Sequence, residues 1–228
     1  MSGKTSVLGS VGRDLRAPRA AGIAGLAFAV LFVGSLLLLR SQPGAGSTPA
    51  EIESWYLDRG GTIGIVGLYL APFAGIAFLW FIAVIRNRIG EREDQVFATV
   101  FFGSGLLFVA MLFAAAAATG APIMAVKFQG APVPSPDAVV LSRGLAYTFL
   151  YVYGVRTAAV FMIVVSTIGL RTATFPRWLI IAGYAIALVL LVSVSFFKLV
   201  VLLFPLWVAV ISIVILTTSR VSDDPLET

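Results

Sequence analysis

The residue whose type and position ask most for chemistry is Arg156, in the stretch Tyr151-Val-Tyr153-Gly-Val-Arg156-Thr-Ala-Ala-Val. It falls near the middle of an apolar run of membrane-spanning length. An arginine there costs about 2.5–3.5 kcal/mol to insert, and its guanidinium cannot shed its proton. It must therefore face inward and find a polar or anionic partner. Tyr153 stands three residues earlier and Thr148 eight earlier, close to one helix face, so the Tyr153 hydroxyl is the first candidate acceptor. Carbonyls freed around Pro72 are the second. No Asp or Glu falls inside any apolar run. The alternatives are backbone carbonyls, water, a charge on another subunit, or an anionic ligand such as a lipid headgroup. Arg156 and Tyr153 are the candidate ligand-binding residues.

Other reactive side chains stand alone. Lys198 has the type of a Schiff-base lysine, but it lies between two apolar runs, where a snorkelling stem accounts for it. Phe102-Gly103-Ser104-Gly105 faintly matches the serine box of an intramembrane protease. The chain has no histidine, so no imidazole can activate Ser104. With no cysteine either, disulfides, thiolate chemistry and the usual zinc and haem ligands are excluded. No phosphate-binding loop, metal-ligand cluster or carboxylate pair occurs. No catalytic residue, metal site or cofactor is expected, and the sequence points away from an enzyme.

Elements that could hold an arginine in this setting are membrane helices. The chain is 59% hydrophobic and only 12% charged over 228 residues, whereas a soluble domain is about one quarter charged. Water cannot solvate a surface built from so few charges; lipid can. A spanning helix needs about 20 apolar residues. Six runs approach that length: Ala21 to Leu39, Thr62 to Ile85, Val96 to Thr119, Leu145 to Leu170, Trp178 to Phe197, and Leu199 to Leu216. The last two form one near-continuous run that must turn, and Ser195 to Lys198 is the predicted turn. The first run follows Lys4, Arg13, Arg16 and Arg19 and so resembles a signal peptide; its length favours a retained helix.

The basic residues orient the spans. With the N-terminus cytoplasmic, Arg86, Arg88, Arg92, Arg171, Arg177 and Arg220 join the N-terminal cluster inside. Arg40, Arg59, Lys127, Arg143 and Lys198 fall outside. This positive-inside bias places both termini in the cytoplasm. The pI near 9.9 is thus a topology signal, and no nucleic-acid partner is expected. The domain scheme is a basic tail over 1–20, a six-helix membrane domain over 21–217 and a C-terminal tail over 218–228.

Between spans, Thr48-Pro49-Ala50-Glu51 is a capping box with proline at the first helical position. Ile52, Trp55 and Tyr56 share the next helix face, predicting a short helix lying in the outer headgroup layer. Gly120 to Gly144 carries Pro132, Pro134 and Pro136, which block a regular helix there. Arg86 to Gln95 reads as a solvated connector. Gly22, Gly25, Gly64, Gly67, Gly103 and Gly105, with the run Ala114 to Ala118, predict thin helix faces for close packing.

Three stretches resemble a known group. They are Leu70-Ala-Pro72-Phe-Ala-Gly75 through Trp80 to Arg86, Phe97-Ala-Thr-Val-Phe-Phe-Gly103-Ser-Gly105, and Arg156-Thr-Ala-Ala-Val-Phe-Met162 through Leu170 to Leu179. Together they resemble uncharacterised multi-pass membrane proteins of actinobacteria, over roughly Thr62 to Leu216. The resemblance implies a bacterial inner membrane and brings no catalytic residue with it. The expected fold is an all-α polytopic transmembrane helical bundle of about six spans, with both termini cytoplasmic. Two roles follow. One is a non-enzymatic component packing against the lipid bilayer, other membrane-protein subunits or a second copy. The other is a carrier of an anionic or amphipathic molecule near Arg156.

Overall fold

A computed structural model describes residues 16–44, 46–89, 95–172, 174–193 and 199–221. The fold is all-α. Helix α1 (Arg16–Arg40) leads through a short loop to α2 (Pro49–Leu57), and α3 (Arg59–Ile89) and α4 (Gln95–Gln129) follow. Next, α5 (Pro136–Tyr147), a π-helical stretch (Thr148–Gly154) and α6 (Val155–Thr172) run on as one rod. The chain closes with α7 (Arg177–Val192), a short 3₁₀ turn and α8 (Leu203–Val221).

Five helical stretches are long and apolar enough to cross a membrane: Ala20–Arg40, Gly60–Arg86, Val96–Gln129, Pro136–Thr172 and Val200–Thr218. They coincide with five of the six runs expected. The sixth corresponds to α7, which is apolar but has only 16 residues, about 24 Å of helix against a hydrocarbon core of about 30 Å. The expected turn at Ser195 to Lys198, Lys198 included, lies outside the described residues. So does the acidic half of the Arg86 to Gln95 connector.

Small residues let the helices approach. Helix α1 packs chiefly against α3 and then α8. A Cβ at Gly22 would collide with Leu216, and one at Gly25 with Ser212 Oγ and the Phe81 ring. Gly67 sits against Leu38 and Leu39, and Gly105 against Ile82 and Phe161. Gly103 differs from this expectation, since a side chain there would meet open space. With lipid as the alternative solvent, dispersion between well-fitted surfaces rather than the hydrophobic effect must hold such a bundle. Its centre is a phenylalanine cluster built from α1, α3, α4, α6 and α8. Phe78 is fully buried, with ring centroids 4.7 Å from Phe28, 5.2 Å from Phe161, 5.4 Å from Phe108 and 5.5 Å from Phe204.

At one end α2 and the far turns of α4 form a small cap. The capping box forms as expected: Thr48 N–H donates to Glu51 Oε2 (2.8 Å), and Glu51 N–H donates to Thr48 Oγ1 (3.3 Å). The apolar face of α2 packs on protein, however. Ile52 and Tyr56 bury against Ile123 of α4 and Val139 of α5, with Trp55 partly buried beside them. Lys127 Nζ donates to Leu57 O at the C-terminal end of α2 (3.1 Å), where a cation also suits the helix dipole.

The same cap corrects the reading of Gly120 to Gly144 as irregular. Helix α4 runs on to Gln129 because Ile123 and Val126 gain partners in α2, and tertiary packing outweighs local propensity. Only 130–135 is non-helical, and Gly130 takes φ 67° just beyond the helix end, a conformation natural to glycine. Pro136 occupies the first turn of α5, where a proline does no harm, behind the Ser135 cap.

Candidate functional site

Pro122 and one π-helical stretch set the geometry of this region. Pro122 inside α4 has no N–H to offer the carbonyl of Ala118, four residues back. Ser142 of α5 supplies the missing donor, Oγ to Ala118 O at 2.8 Å. Gln42, in the loop after α1, donates Nε2 to the next carbonyl, Thr119 O, at 3.4 Å. The proline-interrupted turn of α4 thus ties α5 and the α1–α2 loop together.

The π-helical stretch accounts for Arg156. Val155 N–H reaches back five residues to Leu150 O, the wide pattern that leaves neighbouring carbonyls poorly served. Arg156 Nη1 donates to two of them, Val152 O (2.6 Å) and Tyr151 O (3.4 Å). Its partners are carbonyls of its own chain segment, one of the alternatives open from sequence, and not those near Pro72. Tyr153 is 53% exposed and is not among the acceptors of Arg156.

Tyr151 stands two residues before Tyr153, and its hydroxyl has a partner on α1. It accepts a hydrogen bond from Arg40 Nη2, at the end of α1. Tyr151 also stacks on Tyr147, with centroids 4.4 Å apart and rings inclined by 12°. Arg143 lies one turn before Tyr147 on the same face. Its Nη1 donates to Gln42 O (2.8 Å) and Pro43 O (3.1 Å), holding the loop that follows α1. The charge of Arg143 also reaches the cap: burial pushes the Tyr56 hydroxyl above its usual pKa, and Arg143 partly offsets this.

These side chains surround a cavity of about 300 Å³ between the C-terminal half of α1, the middle of α4 and the α5–π rod. Its apolar lining comes mainly from Phe32, Leu36, Leu112, Ala115, Ala116 and Leu150, with Ser35 among them. One end carries Arg40, Arg143, Tyr147, Tyr151 and Thr119, with neither Asp nor Glu in the lining. From Phe32 to Arg40 is eight residues of α1, so Phe32 and the charged end are about 12 Å apart at 1.5 Å per residue. Two guanidinium groups in a low-dielectric recess focus a positive field on its mouth. Such a recess can hold one anionic group with an apolar body below it. A larger groove of about 710 Å³ runs beside α2, open to the surface and edged by Glu51 and Asp58; its charge suits no anion.

Neither expected site residue, Arg156 or Tyr153, lines the cavity. Sequence reading missed Arg40 and Arg143, which served there only as orientation markers. A signal was present in the spacing Arg143-Tyr147-Tyr151, four residues each, which stacks one arginine and two tyrosines on a single helix face. Comparison with protein-family models, curated proteins and solved structures gives no match, so the geometry of the cavity carries the functional argument.

Proposed function

We propose that this protein is a non-enzymatic integral membrane protein that binds an anionic amphiphile drawn from the bilayer, in the cavity between α1, α4 and the α5–π rod. The observation that carries this reading is the pairing of Arg40 and Arg143 beside an apolar lining with no carboxylate in it. A fork of guanidinium donors suits a carboxylate or a phosphate. Arg156 then acts as a positioning residue. By serving the Tyr151 and Val152 carbonyls it sustains the π-helical stretch, and that stretch aims Tyr151 at Arg40.

The test is native mass spectrometry of protein extracted in a mild detergent. Wild type should retain an anionic amphiphile, and Arg40→Gln/Arg143→Gln should lose it at least tenfold. Equal retention by both proteins would overturn the reading. Loss on Arg156→Leu alone, with full retention by the double variant, would move the ligand to Arg156.

The membrane in question is a bacterial inner membrane, with both termini cytoplasmic and α7 as a short sixth span. The basic-residue bias supports that orientation, and it puts the mouth of the cavity at the outer leaflet. A cysteine replacing the exposed Ser135 should react with an impermeant thiol reagent in intact cells, while one replacing Ser222 should not. The opposite labelling pattern would reverse the topology.

A further inference from the structure

Resting on the amphiphile reading, the dimensions of the cavity narrow the ligand further. We infer that its occupant has a single acyl chain of medium length, ending in one compact ionised group, a carboxylate or a phosphate. Its volume of about 300 Å³ stands at the bottom of the range of about 300–1,000 Å³ in which proteins hold small ligands. Two fatty chains of a diacyl phospholipid do not fit into it. Phe32, Leu112 and Leu150 are buried in its apolar lining. With about 12 Å from Phe32 to Arg40 along α1, one extended chain fills the recess and sets its terminal group between Arg40 and Arg143.

The head site is equally confined. Arg143 spends only Nη1 on the Gln42 and Pro43 carbonyls; its other nitrogens carry further N–H groups. Arg40 approaches from α1 on the far wall, alongside the Tyr147–Tyr151 stack. A single carboxylate or phosphate accepts from both arginines. A bulky or cationic headgroup does not: size excludes the first, and two positive charges repel the second.

Protein reconstituted in nanodiscs of phosphatidylcholine is titrated with four probes, and the thermal unfolding midpoint is read for each. The probes are dodecanoate, dodecyl phosphate, dodecyltrimethylammonium and didodecanoyl phosphatidylglycerol. Dodecanoate or dodecyl phosphate should raise the midpoint of wild type in a saturable way; whichever acts more strongly identifies the head chemistry. The cationic and two-chain probes should not. Arg143→Lys keeps the charge but loses the fork, and should bind the active probe at least fivefold more weakly. Ala116→Phe keeps both arginines but fills the recess, and should bind about tenfold more weakly. If the two-chain lipid binds more tightly than either single-chain anion, and does so through Arg40 and Arg143, the single-chain inference is wrong while the amphiphile reading stands. If no anion acts, or if the variants bind as wild type does, both are wrong.

Discussion

Ala116→Phe should empty the cavity of its apolar tail while leaving the bundle folded. Ala116 is 7% exposed and lines the recess beside Ala115. A benzyl group there occupies the space in which an acyl chain lies. The displaced chain returns to lipid, so the loss is steric: forcing a chain past the new ring costs about 1–3 kcal/mol of overpacking, around a tenfold loss of affinity at about 1.4 kcal/mol per decade. The arginines are untouched, so charge cannot be blamed for the loss. Ala117, the next residue, is exposed, and Ala117→Phe should retain ligand at the wild-type level. Comparing the ligand retained by the two variants in native mass spectrometry checks this. Equal retention would show that the apolar lining takes no part in binding.

Phe78→Ala should be the most destabilising single substitution in the bundle centre, at about 2–3 kcal/mol. Phe78 touches the rings of α1, α4, α6 and α8 at once, so no single helix can move in to fill the gap. In water, truncating a core phenylalanine costs about 3–5 kcal/mol, part of it the transfer of apolar surface out of water. In a membrane the unfolded helices already lie in an apolar solvent, and that part falls away. What is left is the cavity term, about 24 cal/mol per Å³ over roughly 100 Å³ of lost ring, or about 2.4 kcal/mol. Trp80, two residues on, is 65% exposed, and Trp80→Ala should change stability by less than about 0.5 kcal/mol. Unfolding in mixed micelles with increasing denaturing detergent measures both. A larger effect at Trp80 than at Phe78 would mean that α3 faces the other way.

The two arginine sites show how far a single chain can be read. Arg156 attracts attention because a charge in mid-span is expensive wherever the helix ends up. That cost is local, so the need for inward polar partners is legible in the sequence itself. The identity of those partners is not. They are carbonyls released by a π-helical stretch at Thr148–Gly154, and nothing in the composition of that segment marks it, since its residues suit an ordinary helix equally well. Arg40 and Arg143 are the converse case. Each sits at the end of an apolar run, where a basic residue is cheap and serves topology. Their approach across 103 positions of chain depends on how α1 and the α5–π rod lean together, which no local pattern encodes.

The elements divide in the same way. Hydropathy, run length and the capping box are properties of neighbouring residues acting against solvent. They therefore determined the all-α membrane class, the positions of five long apolar helices and the start of α2, and of the irregular segment expected over 120–144 only the part at Pro132 and Pro134 is non-helical. Pairing between distant segments lies outside their reach. Packing alone decided that α4 continues past Pro122 to meet α2, that Ile52 and Tyr56 face Ile123 and Val139, and that Gly105 closes on Phe161 while Gly103 meets nothing. The physical reason is that in lipid an apolar side chain loses little by facing the solvent. Hydrophobicity then says that a helix spans without saying which face turns inward, and shape complementarity among the assembled helices makes that choice.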